Sequence, residues 1–302
     1  MSTFAYKIMG ISALSILIPT YNDQCVNLVR GLRQQAEEAG IAYEILVADD
    51  GSTDNEVTEQ NRQIDNWENC HYLIQSTNIG RAAIRNLLAR EARHHWLLFI
   101  DSDMTLVRPD YIYKYVSAEE AKVVDGGVAI GGDADALKGN LRYLYEKSAE
   151  DEHTVERRRQ NPYRDFHTAN ILIRRDIMLS HPFDERFRRY GYEDVIFGKQ
   201  LRADGITITH IDNPMGFCTF ESNRDFIAKT EEGLHTLSQF RSELRGYSRL
   251  TTFIDGIHIP LILSIIRISH RLFGGVIRRN LCGQKPSLRL FKLYKLGYFL
   301  NK

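Results

Sequence analysis

Short apolar runs alternate with amphipathic segments along the first two hundred residues. Leu14–Ile18 is apolar apart from one serine and is stopped by Pro19. Val26–Ala39 repeats its apolar residues at helical spacing and ends at Gly40, a helix stop. Tyr43–Ala48 then reads as a second strand, 54–66 as a helix, His71–Gln75 as a third strand, Ile79–Ala92 as a helix and Trp96–Ile100 as a fourth strand. That alternation predicts an α/β fold, Rossmann-like, with a mixed but mostly parallel sheet flanked by helices. From Asp125 the pattern loosens. Gly126–Gly132 reads as a glycine-rich strand, Ala136–Arg159 as one charged helix and Phe166–Arg174 as a strand. Tyr192–Asp204 and Arg224–Arg245 read as helices, with a strand at Ile206–Ile211 between them.

Polar clusters fall where the strands stop. Thr20-Tyr21-Asn22, Asp49-Asp50 and Asp101-Ser102-Asp103 each follow an apolar run directly. In open α/β sheets ligands bind outside the carboxyl ends of the strands, so the three clusters predict one shared crevice. Asp101 and Asp103 offer two hard oxygen ligands, suited to Mg²⁺ or Mn²⁺ acting on a diphosphate leaving group, or else form a solvated acidic turn. Asp49-Asp50-Gly51-Ser52 is either such a turn or an acceptor for a nucleobase and ribose. Arg81 and Arg85 sit four apart at the start of a predicted helix, where its dipole opposes them; a diphosphate or nearby acids would balance them. Glu193-Asp194 is favourable first-turn charge or a general base.

Composition narrows the classes. The chain has 302 residues, 43% hydrophobic and 26% charged, enough for a sizeable core and unlike a disordered or disulfide-stapled protein. Its 39 basic and 39 acidic residues argue against a general nucleic-acid binder. The balance hides a split, since residues 1–254 carry a net −8 and the remainder nine cations against Asp255. The four cysteines have no metal-like spacing and read as free thiols. No secretory signal and no run of about 18 apolar residues is legible, Ile257–Ile268 being interrupted by His258, Pro260 and Arg267, so a cytoplasmic body is expected. A dinucleotide fingerprint, a P-loop and a nucleophile elbow are all missing, and Thr20-Tyr21-Asn22-Asp23 is not the loop a nucleotidyltransferase needs.

Taken together, Ser15–Asn22 (SILIPTYN), Ile45–Asp54 (ILVADDGSTD), Asn78–Asn86 (NIGRAAIRN), Phe99–Met104 (FIDSDM) and Tyr192-Glu193-Asp194 resemble, in order and spacing, family 2 glycosyltransferases with the GT-A fold. Asp212-Asn213-Pro214 and Lys229–Leu234 (KTEEGL) look like a bacterial subgroup that builds surface polysaccharides. The resemblance implies inverting transfer of a sugar from a nucleotide-sugar, most often a UDP-sugar, to a hydroxyl of a glycan or lipid-linked acceptor, assisted by Mn²⁺ or Mg²⁺. Matched by motif, Pro19, Thr20 and Tyr21 would line the base pocket, Asp50 would accept from the base, and Asn78, Arg81, Arg85, Asp101 and Ser102 would complete the donor side. Asp103 with Asp101 would hold the metal, Asp194 would be the base with Glu193 orienting, and Asn170 would shape the acceptor side. The subgroup usually has a metal-ligating His where this chain has Phe217; His210 is the substitute the sequence offers. The competing reading is a protein of the same fold that binds nucleotide-sugars or acts as a scaffold without turnover.

The organisation expected is a catalytic domain over 1–250 and a basic amphipathic extension over 251–302. In the extension Arg267, Arg271 and Arg278 recur among isoleucines and leucines, and 288–300 repeats the pattern with Arg289, Lys292 and Lys295. Interfacial helices on an anionic membrane are the expected reading, placing the enzyme at the inner face of the cell membrane; packing against the catalytic domain is the alternative.

Overall fold

The structure, a computed structural model, describes residues 10–118, 121–164 and 166–302. The first half runs β1 (Ala13–Thr20), α1 (Val26–Glu38), β2 (Ala42–Asp49), α2 (Asn55–Asn61), β3 (Cys70–Ile74), α3 (Arg81–Glu91), β4 (Trp96–Ile100), β5 (Met104–Thr105), α4 (Tyr111–Val116), β6 (Val123–Asp125) and β7 (Val128–Ile130). Next come α5 (Ala134–Leu137), α6 (Leu141–Ser148), α7 (Val155–Gln160), β8 (Asn170–Arg174), α8 (Arg175–Ser180), α9 (Glu193–Ala203), β9 (Ile208–His210) and β10 (Met215–Phe217). The chain ends in helices α10 (Asn223–Gln239), α11 (Arg249–Asp255), α12 (Pro260–Leu281) and α13 (Leu288–Leu300).

Seven strands form one sheet in the order β3-β2-β1-β4-β8-β6-β9, parallel except where β8 runs against β4 and β6. β1 shows why it is covered on both sides: Leu14, Ile16 and Ile18 point into one core with α1 and α4, and Leu17 into the other with α3, α8 and α9. A small second sheet, β5-β10-β7, closes over the carboxyl end. The α/β architecture thus agrees with the sequence expectation, but two segments do not. The helix expected over 136–159 is broken, because Asn140 caps a new start by accepting from the Tyr143 N–H at 2.8 Å. The one expected over 224–245 stops at Gln239, followed by turns and the separate α11.

The C-terminal segment is a helical hairpin. Along α13, Phe291, Tyr294, Leu296 and Phe299 are buried in clusters shared with α10, so this helix packs on protein rather than lying open as the sequence suggested. α12 touches α13 closely at Gly297, where a Cβ would come within 2.6 Å of His270 Cβ. The opposite side of α12 is bare: Leu261, Ile265, Ile268, Leu272 and Val276 lie between 54% and 69% exposed. With 22 residues, α12 is long and apolar enough to cross a membrane by length and composition, which overturns the expectation that no segment is. Pro260 does not interrupt it, since it occupies the first turn, where no N–H is required.

Candidate active site

The carboxyl ends of β1, β2 and β4 converge as predicted, and α3 opens beside them. Gly80 has φ 96° and packs so closely that a Cβ would meet the Arg188 carbonyl at 3.2 Å, a turn only glycine makes without strain. Asp50 fastens this turn, accepting the Ile79 N–H at 2.7 Å and the Gly80 N–H at 3.0 Å. Burial raises the Asp50 pKa, against those two bonds.

Four charges form a closed cluster at the centre. Arg85, 1% exposed, donates to Asp101 Oδ1 at 2.6 Å and stands 3.6 Å from Glu193 Oε1. Arg81 donates to Asp101 Oδ2 at 3.2 Å and to Glu193 Oε1 at 3.0 Å, with its side chain 43% exposed. Burial alone would raise Asp101, but the two guanidinium groups overcome it and hold the carboxyl below the usual range. Arg85 is therefore a buried counterion, and of the two arginines only Arg81 presents an exposed cation to the crevice. Likewise Asp101 has a guanidinium on each oxygen, which sets it apart from the metal-ligand role expected of it.

Asp103 is different. Burial first, then Asp101 and Asp23 nearby, push its pKa up to about 6, and its Oδ1 is buried without a hydrogen-bond partner among the described residues. Asp23, which sequence reasoning passed over, accepts from Ser102 Oγ at 3.1 Å and faces the same space. A buried carboxylate oxygen without a donor, beside a second carboxylate, suits a hard divalent cation that completes its shell with water and phosphate. No set of three or more His, Cys, Asp or Glu side chains is arranged as a metal cage among the described residues.

Two cavities meet here. One, of about 380 Å³, is lined by Pro19, Thr20, Tyr21, Asp23, Asp50, Asn78, Gly80, Arg81, Ile84, Asp101, Ser102 and Asp103, by Arg85 at its wall, and also by Arg188, Tyr190, Lys229 and Glu232. The other, of about 230 Å³, is lined by Glu193 and Asp194 with Val128, Ile130, Glu146, His153, His167, Tyr192 and Phe217. Arg81, Asp101 and Tyr190 belong to both. A left-handed pair, Gly191 at φ 94° and Tyr192 at φ 71°, turns the chain into α9. The first turn then splits its acids: Glu193 joins the arginines, whereas Asp194 is held at its own N-terminal turn by the Val195 N–H at 2.8 Å. Burial and the adjacent Glu193 raise the Asp194 pKa, which makes it a stronger base than a free carboxylate.

Two expected residues are not where they were placed. Asn170 is fully buried beneath the second cavity. Its amide donates to the Gly127 and Asn213 carbonyls at 2.7 and 2.9 Å and accepts from the Tyr111 and Tyr115 hydroxyls at 2.6 and 2.7 Å, so nothing is left to offer a ligand. His210 is 2% exposed, with Nδ1 at 3.0 Å from Asp125 Oδ2 and Nε2 at 3.1 Å from the Pro162 carbonyl. Both ring nitrogens are occupied, and it cannot replace the missing metal ligand. Phe217 lines the second cavity beneath the Arg142 guanidinium, 5.1 Å from the ring centroid. His167 and Arg188 were missed because they carry no motif of their own, and Lys229, which opens the KTEEGL motif, was given no role; only the fold brings the three to the cavities.

A family model for glycosyl transferase family 2 matches residues 15–180, more than half of the chain. Among curated proteins, a chondroitin synthase of Escherichia coli is 26% identical over 246 residues, covering 70% of this chain and 35% of its own length. A validoxylamine A glucosyltransferase of Streptomyces hygroscopicus subsp. limoneus is 30% identical over 229 residues, covering 66% of this chain and 50% of its own. The chain therefore spans between a third and a half of these relatives. The crystal structure of S. aureus TarS residues 1–349 superposes with a TM-score of 0.50 at 16% identity, covering 96% of this chain and 90% of that one, a likeness of fold.

Proposed function

The chain belongs to glycosyl transferase family 2, and from that premise we propose that it is an inverting glycosyltransferase moving a sugar from a nucleotide-sugar, foremost a UDP-sugar, to a hydroxyl of a glycan or lipid-linked acceptor in surface polysaccharide synthesis. One observation carries the reading: two cavities share Arg81 and Asp101, one with a buried Asp103 oxygen that has no hydrogen-bond partner among the described residues and the other with the raised carboxylate of Asp194. Such a pair of compartments suits an in-line displacement, donor on one side and acceptor on the other.

In this reading Pro19, Thr20 and Tyr21 receive the base, with Asp50 and Asn78 at its edge. Arg81 meets the diphosphate, Asp101 the ribose and donor sugar. Arg85 and Glu193 keep those two oriented. Asp194 takes the proton of the acceptor hydroxyl as that oxygen attacks the anomeric carbon, and the diphosphate departs with the bonding pair. Asp103, with Asp23, is the pair to hold Mn²⁺ or Mg²⁺, which when bound neutralises charge on the departing diphosphate. The bare face of α12, flanked by Arg267, Arg271 and Arg278, seats the extension 251–302 on an anionic membrane at the cytoplasmic side, beside the catalytic domain 1–250. Titration calorimetry with UDP, GDP and dTDP, each with and without Mn²⁺, tests the donor side. Binding of one that tightens with Mn²⁺ is expected; silence for all three sinks the proposal and favours a scaffold.

A further inference from the structure

Helix α10 lies between the crevice and the C-terminal hairpin. At about 100° per residue, Lys229, Glu232, Gly233 and Thr236 share one face, and Glu231 sits roughly 200° round from Lys229. Lys229 and Glu232 line the larger cavity. Thr236 Oγ1 donates to the Tyr190 carbonyl at 3.1 Å, which ties this face to the loop leading into Glu193-Asp194. On the far face Glu231 Oε1 accepts from Arg278 Nε of α12 at 2.8 Å and from the Tyr294 hydroxyl of α13 at 2.6 Å. Ile227 and Leu234 flank Glu231 within apolar clusters that include hairpin residues. A carboxylate, 19% exposed, that gathers one donor from each arm of a hairpin is a joint rather than a surface ion pair.

Resting on the nucleotide-sugar reading, we propose that the hairpin, through Glu231, holds α10 against the crevice, so that Lys229 serves with Arg81 and Arg188 as a further cation on the donor's diphosphate. Glu231 is then a positioning residue, acting on a ligand it never touches. Lys229 borders the same space as Asp103, and it pairs with Glu221 at 3.2 Å while staying half open to water, so a diphosphate can take that partner's place. The hairpin is on this account a part of the donor site as well as a membrane seat.

The test uses the full chain and whichever of UDP, GDP or dTDP the wild type binds, alongside the matching nucleoside, which has no phosphate. Lys229→Gln should weaken the nucleoside diphosphate about ten-fold, the scale of one charge-assisted contact, and leave the nucleoside within about two-fold. Glu231→Ala should reproduce that split, and the double variant should be no weaker than either single one, since both remove the same contact. Tyr294→Phe, which keeps the ring packed and deletes one donor, should show the same selectivity at smaller size and stands in if Glu231→Ala does not fold. Equal loss for diphosphate and nucleoside, additive losses, or unchanged diphosphate affinity in Glu231→Ala and Tyr294→Phe overturns the inference. Failure of the wild type to bind any of the three nucleotides removes the donor reading, and this inference with it.

Discussion

Arg85→Met removes the most buried charge of the site and leaves a side chain of similar length. In the native protein that guanidinium, 1% exposed, bonds Asp101 at 2.6 Å and faces Glu193 at 3.6 Å. Breaking a buried ion pair by deleting one partner costs about 3–5 kcal/mol, because the remaining charge is left uncompensated. Arg81 still touches both acids, so the lower end applies, about 3 kcal/mol out of a total stability of about 5–15 kcal/mol. Urea unfolding at several pH values is the assay. Asp101 is held below its usual pKa against the effect of burial, so it contributes stability that is present above the unfolded value of about 4 and lost as pH falls through the native value. Without Arg85 the native pKa rises and that contribution shrinks. The gap between wild type and variant should therefore be widest near pH 7 and narrow as pH drops below about 4. A deficit under about 1 kcal/mol, or one that stays constant from pH 7 down to pH 3, would refute the reasoning.

The remaining predictions concern single residues. Asp194→Asn should reduce turnover by about 10²–10⁴-fold with nucleotide affinity unchanged in calorimetry, the scale of general-base catalysis; in the wild type the acid limb of the rate profile should lie above the ordinary carboxylate range. Asp103 has a native pKa raised to about 6, above its unfolded value, so it opposes folding most at neutral pH. Asp103→Asn should accordingly unfold at a higher urea concentration than wild type at pH 7, lose that advantage toward pH 4, and bind nucleotide without any Mn²⁺ effect. For the hairpin, Ile265→Asp with Leu272→Asp changes side chains 54% and 68% exposed. Thermal unfolding should move little, and pelleting with anionic vesicles should fall away; equal pelleting means that α12 is not the seat.

Periodicity and punctuation made the first hundred residues readable. β1 to β4 and the helices between them fall close to their expected bounds, the one over 54–66 finishing as a tighter 3₁₀ turn from Arg62, because each strand is a mostly apolar run closed by polar residues. From 101 onward the elements shorten to two or three residues at β5, β6, β7 and β10, too short to show a period, and are held by pairing with partners distant in sequence. The single helix read over 136–159 failed for a local reason, since Asn140 capping outweighed the charged pattern. Within the site, residue type was legible but access was not. Arg81 and Arg85 look alike in sequence, yet one is open and the other is walled in beside Phe183. Asn170 and His210 carry the right chemistry and spend all of it on internal bonds, which only the three-dimensional packing reveals.

The reversed course of β8 also affects how such a site can diversify. β1, β2 and β4 supply the site from the loops after their last residues, whereas β8 supplies it from the loop before its first, with Ile100 registered against Asn170 and the Asp101 N–H bonded to the Ala169 carbonyl at 3.2 Å. Of the residues lining the two cavities, those between 19 and 80 border only the larger and those between 128 and 169 only the smaller, with Arg81, Asp101 and Tyr190 shared by both. As far as residue 169 the two compartments are thus written in separate stretches of the chain, and Arg188, Tyr190, Lys229 and Glu232 return later to the larger one. A lineage can rewrite the second stretch, and with it the choice of molecule that enters the smaller cavity, while inheriting the first unaltered.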